Sequence, residues 1–142
     1  MCIAIATILV PRNPINERET FLDQITQQID VNTLEVNLLG FSQGAILSYA
    51  AAMSHGHLSK VICLSGYLNE ELLPDNARLN SCQGSRFFAS HGDQDQVIPV
   101  AWARKSSRRL NELGCDLEYH EFPVGHGVSP DNFTALNSFL NG

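Results

Sequence analysis

Leu34-Glu35-Val36-Asn37-Leu38-Leu39-Gly40-Phe41-Ser42-Gln43-Gly44-Ala45 reads as a buried strand, a sharp turn and the start of a helix. Val36, Leu38 and Leu39 form a short apolar run that stops at Gly40, and Gly40-Phe41-Ser42-Gln43-Gly44 fits G-x-S-x-G, the pattern of a nucleophile elbow. A serine on a strained strand-to-helix turn is expected to need residues without a Cβ two positions before and after it, because the chain segments pass close together there. The strain lifts the Ser42 hydroxyl clear of the backbone, and the new helix directs free N–H groups and its positive dipole end at any oxyanion formed beside it. The same five residues also suit an ordinary strand-turn-helix, so Ser42 as the attacking group depends on partners elsewhere in the chain.

Working outward towards the start, Ile3-Ala4-Ile5-Ala6-Thr7-Ile8-Leu9-Val10 is continuously apolar, as expected of a parallel strand covered on both faces, and Pro11 and Pro14 end it. The segment lacks the positively charged start and small-residue cleavage site of a signal peptide, and it is too short to span a bilayer. Asn16 and Glu19 resemble a capping box, and Phe21, Leu22, Ile25 and Ile29 follow at helical spacing, which predicts a helix over Glu17 to Gln28.

Towards the end, an alanine-rich helix from Ala45 to Met53 stops at His55-Gly56, and Lys60 to Leu64 is the next strand, closed by Ser65-Gly66. Tyr67 to Ser85 reads as a surface loop, with Tyr67, Leu68, Leu72 and Leu73 as pocket walls or core. Arg86 to Ser90 is a strand, Pro99 to Leu113 a helix with Gly114 at its C-terminal left-handed position, and Cys115 to Phe122 another strand. Pro123 to Ser129 is a loop, and Ser129-Pro130 caps a last helix with Phe133, Leu136, Phe139 and Leu140 inward. Strands alternating with helices predict an α/β three-layer sandwich on a mostly parallel sheet, with chemistry at the C-terminal ends of the strands.

At 142 residues the chain is expected to be a single domain, 1–142. A net charge of −6 speaks against nucleic acid or an anionic membrane surface as the main partner. The one basic cluster, Arg104-Lys105-Ser106-Ser107-Arg108-Arg109, reads as a solvated helical face. Cys2, Cys63, Cys82 and Cys115 are scattered without metal-ligand spacing, so free thiols in a reducing cytoplasm are the expectation.

Three predicted strand ends carry reactive groups: Ser42, then Asp93 and Asp95, then His126 in Gly125-His126-Gly127. A serine hydroxyl is a poor nucleophile until an imidazole takes its proton, and the imidazole needs a buried carboxylate to hold its tautomer and stabilise the cation. Each member has a bland reading, His126 as a loop histidine and the two aspartates as turn formers, whereas the ordered set Ser, Asp, His is harder to obtain by accident. His55, His57, His91 and His120 lack a matching partner pattern and read as structural.

Gly40-Phe41-Ser42-Gln43-Gly44, His91-Gly92-Asp93-Gln94-Asp95-Gln96-Val97-Ile98-Pro99 and Gly125-His126 followed by Ser129-Pro130 resemble the motifs of the carboxylesterase, phospholipase and acyl-protein thioesterase family of α/β-hydrolases. The resemblance runs from about Val10 to the C-terminus. It implies Asp95 as the triad acid, with Asp93 a loop residue, and hydrolysis of carboxylic esters or thioesters of short to medium acyl chains through an acyl-serine, without metal or cofactor. It also implies the backbone N–H of Gln43 as one donor of an oxyanion hole. No His-Gly-rich turn precedes Ser42 to supply the second donor, so the chain is read as an α/β-hydrolase type lacking the first strands. Two expectations follow from that reading. An unpaired strand edge favours a homodimer, and a weakly catalytic remnant that binds a ligand or assembles with a partner stands as the alternative to an esterase.

Overall fold

The structure is a computed structural model that describes residues 2–5, 36–54, 58–73, 82 and 84–142. Its centre is a sheet of five parallel strands in chain order, β1 (Cys2–Ile5), β2 (Val36–Phe41), β3 (Leu58–Leu64), β4 (Arg86–Gly92) and β5 (Asp116–Phe122). Among the described residues three helices cover it, α1 (Gln43–Ser54), α2 (Val100–Glu112) and α3 (Pro130–Asn141).

Alternation along β3 sorts the two faces. Val61 and Cys63 pack with Ala45, Tyr49, Ala52 and Met53 of α1 and Leu110 of α2, whereas Ile62 and Leu64 pack with Leu136 and Phe139 of α3. The sheet is therefore sandwiched between helices, and its central strands β3 and β4 are buried and apolar on both faces, as expected of parallel strands, whereas β5 carries polar residues and is only partly buried. α1 buries Ala45, Ala50, Ala51 and Ala52, whose small side chains let the helix lie close to β2 and β3. α2 buries only Ala103, Ser106 and Leu110, at helical spacing, and leaves Arg104, Lys105 and Arg108 exposed. On that charged face Arg104 pairs with Glu121, and Arg109 with Glu70 and Glu112.

Several local devices set the register. One extra residue on β3, between Leu58 and Lys60, is absorbed opposite Val36 and Asn37, where the buried Asn37 side chain accepts the Lys60 N–H at 3.0 Å. The Lys60 ammonium then reaches the last carbonyls of α3, at Leu140 (2.6 Å) and Phe139 (3.3 Å), where a cation suits the negative helix end. Ser129 caps α3 by accepting the Asn132 N–H, and Gly114, at φ +75°, turns the chain after α2.

The structure departs from the sequence expectations in several places. The described part of the first strand is Cys2–Ile5, and the expected helix over Glu17 to Gln28 lies outside the described residues. β2 continues through Gly40 to Phe41, and β4 continues to Gly92, because the neighbouring strands extend that far and keep their ladders paired. Pro99 stands one residue ahead of α2, and the expected loop after β3 contains a short 3-10 turn, Glu70–Leu72. Leu68 is core, and Phe133, expected inward, is 55 % exposed because α3 presents only Asn132, Leu136 and Phe139 fully to the sheet. Cys82 and Cys115, expected as free thiols, form a disulfide with their Cα atoms 5.0 Å apart, and Cys63 is a free, buried thiol. Spacing of 33 residues gave no hint of that pairing, which arises from the return of the chain to the end of α2.

Candidate active site

The C-terminal ends of β2, β3, β4 and β5 meet at one rim of the sheet. β2 ends at Phe41, and Ser42 turns the chain into α1 with φ at +56°, the left-handed region that a residue with a Cβ adopts only under constraint. The constraint is visible in the backbone. The Ser42 N–H donates to the Leu64 carbonyl at 2.8 Å, and the Ser42 carbonyl accepts from Ala45 and Ile46 in the first turn of α1.

Three glycines make this crowding possible. A Cβ on Gly40 would stand 2.2 Å from the Gly44 carbonyl oxygen, and one on Gly66 would stand 2.5 Å from Ala45 Cβ and 2.9 Å from the Ser42 carbonyl oxygen. A Cβ on Gly92 would meet the Gly125 and Val124 carbonyl oxygens at 2.2 and 2.3 Å. The expectation for Gly44 fails, since a Cβ there would meet nothing within 4 Å. The close approach on the helix side falls instead between Ala45 and Gly66, so the missing atom sits on β3's end rather than on the helix.

Asp95 lies in the turn after β4, with its carboxylate out of contact with solvent. Its Oδ1 accepts the Val97 and Ile98 N–H groups at 2.8 and 2.9 Å, and its Oδ2 accepts from His126 Nδ1 at 2.7 Å. Burial works against ionisation, but the hydrogen bonds from His126, Ile98 and Val97 outweigh it and hold the carboxyl below its ordinary value of 3.8. His126 Nε2, the unprotonated nitrogen in that tautomer, accepts the Ser42 hydroxyl at 2.9 Å. The expected Ser42, Asp95 and His126 are thus joined in one hydrogen-bonded chain. Asp93 is exposed and makes none of these bonds, although its backbone N–H helps tie the turn to β5 at the Phe122 carbonyl.

The loop carrying His126 is held from two sides. Gln94 N–H donates to the Val124 carbonyl at 3.1 Å, and the Ser65 hydroxyl donates to the Gly127 carbonyl at 3.3 Å. Ser65 is itself buried with φ at +54°, a second strained residue at the same rim. The Phe41 ring stands 5.2 Å from the His126 ring, and Phe41, Val97 and Trp102 are exposed at 43 %, 68 % and 49 %, with Tyr67 edge-on to Trp102.

Beyond the expected set the structure brings His91 to the acid. Read from sequence as structural, it is buried, with Nε2 3.2 Å from Asp95 Oδ2 and 2.8 Å from the Ile98 carbonyl. The signal available in the sequence was its place in the same His91-Gly92-Asp93-Gln94-Asp95 run as the acid. Ser65, Gly66 and Gly92 were likewise invisible, because their roles depend on distant residues: Ser65 on Gly127, 62 positions away, Gly66 on Ser42 and Gly92 on Gly125. Gln43, the expected oxyanion donor, opens α1, so its N–H belongs to the first turn, where intrahelical acceptors are lacking. Among the described residues no group of three His, Cys, Asp or Glu could hold a metal ion, and no helix is long and apolar enough to cross a membrane.

The chain is 25 % identical over 133 residues to acyl-protein thioesterase 1 of Saccharomyces cerevisiae, covering 89 % of this chain and 58 % of that protein. It is 30 % identical over 126 residues to acyl-protein thioesterase 1 of Kluyveromyces lactis, covering 82 % and 54 %. The chain thus spans a little over half the length of these curated relatives. The crystal structure of Arabidopsis thaliana SOBER1 superposes with a TM-score of 0.73 at 22 % identity, over 93 % of this chain and 65 % of that one, a likeness of fold. With the elbow, the acid turn and the histidine loop on one rim of a parallel sheet, and with the family model matching residues 12–142, the chain belongs to the phospholipase/carboxylesterase family of α/β-hydrolases.

Proposed function

We propose that this chain is a serine hydrolase that cleaves carboxylic esters or thioesters of short to medium acyl chains through an acyl-Ser42 intermediate. The observation that carries the reading is the continuous relay from a buried, ionised Asp95 through His126 to a strained Ser42, with contacts of 2.7 and 2.9 Å. Names of the relatives, acyl-protein thioesterases, favour thioesters among the substrates.

In this reading Ser42 Oγ attacks the acyl carbon while His126 Nε2 takes its proton, and Asp95 Oδ2 stabilises the imidazolium through Nδ1. The carbonyl oxygen gains the charge of the broken π bond, and the Gln43 N–H at the start of α1 donates to it. His126 returns the proton to the departing alkoxide or thiolate as the bond to the acyl carbon breaks. Water then repeats the sequence with His126 as base, releasing the acid and restoring Ser42. Phe41, next to Ser42 in the chain and 5.2 Å from the His126 ring, offers exposed apolar surface for the acyl chain.

The test joins two measurements on the wild type and Ser42→Ala. Intact mass after a serine-directed fluorophosphonate should rise by a single adduct in the wild type, and Ser42→Ala should lose both the adduct and turnover of a short-chain nitrophenyl ester, by about 10⁶-fold in kcat. Labelling or turnover retained in Ser42→Ala overturns the reading.

A further inference from the structure

His91 stands outside the three-residue relay, yet the geometry around it is specific. Its ring is fully buried at the end of β4, on the sheet face shared with α1 and α2. Both groups near Nε2 are acceptors, the Ile98 carbonyl at 2.8 Å and Asp95 Oδ2 at 3.2 Å, so Nε2 carries the proton. The hydrogen bond goes to the Ile98 carbonyl, and Asp95 Oδ2 stands beside the same N–H as a close electrostatic contact. Nδ1 is buried and has no hydrogen-bond partner among the described residues, so this ring spends all of its polar bonding on the Asp95 turn. The charged groups nearby are already engaged: Glu121, opposite His91 on β5, is held by Arg104 and Tyr119, and Asp93 is exposed.

Asp95 Oδ1 is fixed by two backbone N–H groups that belong to the same turn. Oδ2 is the atom that must face His126, and rotation about the side chain would remove it. Among the described residues the His91 N–H is the only side-chain N–H near Oδ2 besides that of His126, at 3.2 Å, and it also pins the carbonyl of Ile98, whose N–H holds Oδ1.

We propose that His91, as the neutral Nε2–H tautomer, is a positioning residue for the acid of the triad, clamping the Asp95 carboxylate and the Ile98 peptide in one orientation towards His126. The proposal rests on the serine hydrolase reading for its kinetic consequence and on geometry alone for its spectroscopic one. Removing the Nε2 donor should lower kcat about 10- to 100-fold with KM within about twofold, because substrate contacts stay while the imidazolium loses its aligned partner.

Three variants test it. His91→Phe keeps the bulk without a donor, His91→Asn places its amide where Nδ1 stands, and His91→Gln places an N–H near the position of Nε2. Expected are the loss in kcat for Phe and Asn and recovery to within about threefold of wild type for Gln. In parallel, the downfield proton signal of His126 Nδ1–H, recorded on unliganded protein, should move or broaden in Phe and Asn and be retained in Gln. If His91→Phe fails to fold, the Asn and Gln pair decides alone. A Gln variant as impaired as a folded Asn variant, or an unchanged kcat and proton signal in Asn, overturns the clamp while leaving the hydrolase reading intact. A wild type without Ser42-dependent turnover whose proton signal still responds to His91 overturns the hydrolase reading and keeps the clamp.

Discussion

The two ends of the relay are built in opposite ways. At the acid end Asp95 is sealed from solvent, accepts backbone and imidazole N–H groups on both oxygens, and sits in a turn tied to β5 and the histidine loop. At the nucleophile end Ser42 is half exposed, its hydroxyl makes one bond, and its backbone is strained between flanking segments. The difference follows from the chemistry each end must do. A carboxylate that only stabilises charge works best when immobilised, whereas a nucleophile must stay accessible and unsatisfied enough to attack.

The sharpest way to break the comparison is to disturb the acid without changing its shape. Asp95→Asn puts an amide NH₂ where each hydrogen-bond partner of both oxygens is already a donor, so either a bond is lost or the His126 tautomer is reversed. We expect kcat to fall by about 10⁴-fold, and Asp93→Asn to cost far less because Asp93 makes none of these bonds. Equal losses in two folded variants would show that the acid end is not singular.

The nucleophile end should respond through stability instead. Gly40→Ala forces a Cβ against the Gly44 peptide, where backbone must move, and should cost about 1–3 kcal/mol or more in unfolding free energy. Gly44→Ala meets open space inside a helix and should range from neutral to about 1 kcal/mol stabilising. Urea denaturation of the two variants separates them, and equal destabilisation would mean that the elbow crowds its helix side as well.

A smaller effect concerns pH. The folded-state value of Asp95 lies below its ordinary 3.8, so its bonds contribute stability that is fully present above about pH 4, the unfolded-chain value, and is lost as pH falls through the folded-state value. Glu121, lowered by its bond to Arg104, adds a contribution of the same sign. Stability of Asp95→Asn should therefore fall less steeply than that of the wild type on acidification below about pH 4, and parallel curves would remove the acid end from the account.

Read from the sequence alone, the alternation of apolar strands with helices, the elbow, the acid turn and the histidine were legible because each depends on residues close in the chain. A glycine before a serine and a capping Ser129 before Pro130 carry their meaning within a few positions, whereas the carboxylate before Val97-Ile98-Pro99 was singled out by the family resemblance. The same locality explains the errors. Gly44 was credited by pattern with a close approach that the fold makes between Ala45 and Gly66, and Phe133 was turned inward by helical period although it stands exposed.

What the sequence determined by itself was most of the described strands and helices and the candidates Ser42 and His126, since periodicity and turn chemistry are properties of neighbouring residues; the choice of Asp95 over Asp93 rested on the family resemblance. Tertiary structure alone decided the order of the strands in the sheet, the pairing of Cys82 with Cys115, the strain at Ser65 and the meeting of His91 with Asp95. Each of these is set by how segments from distant parts of the chain are brought together at the ends of the sheet, where hydrogen bonding and close packing act between residues that no local pattern relates.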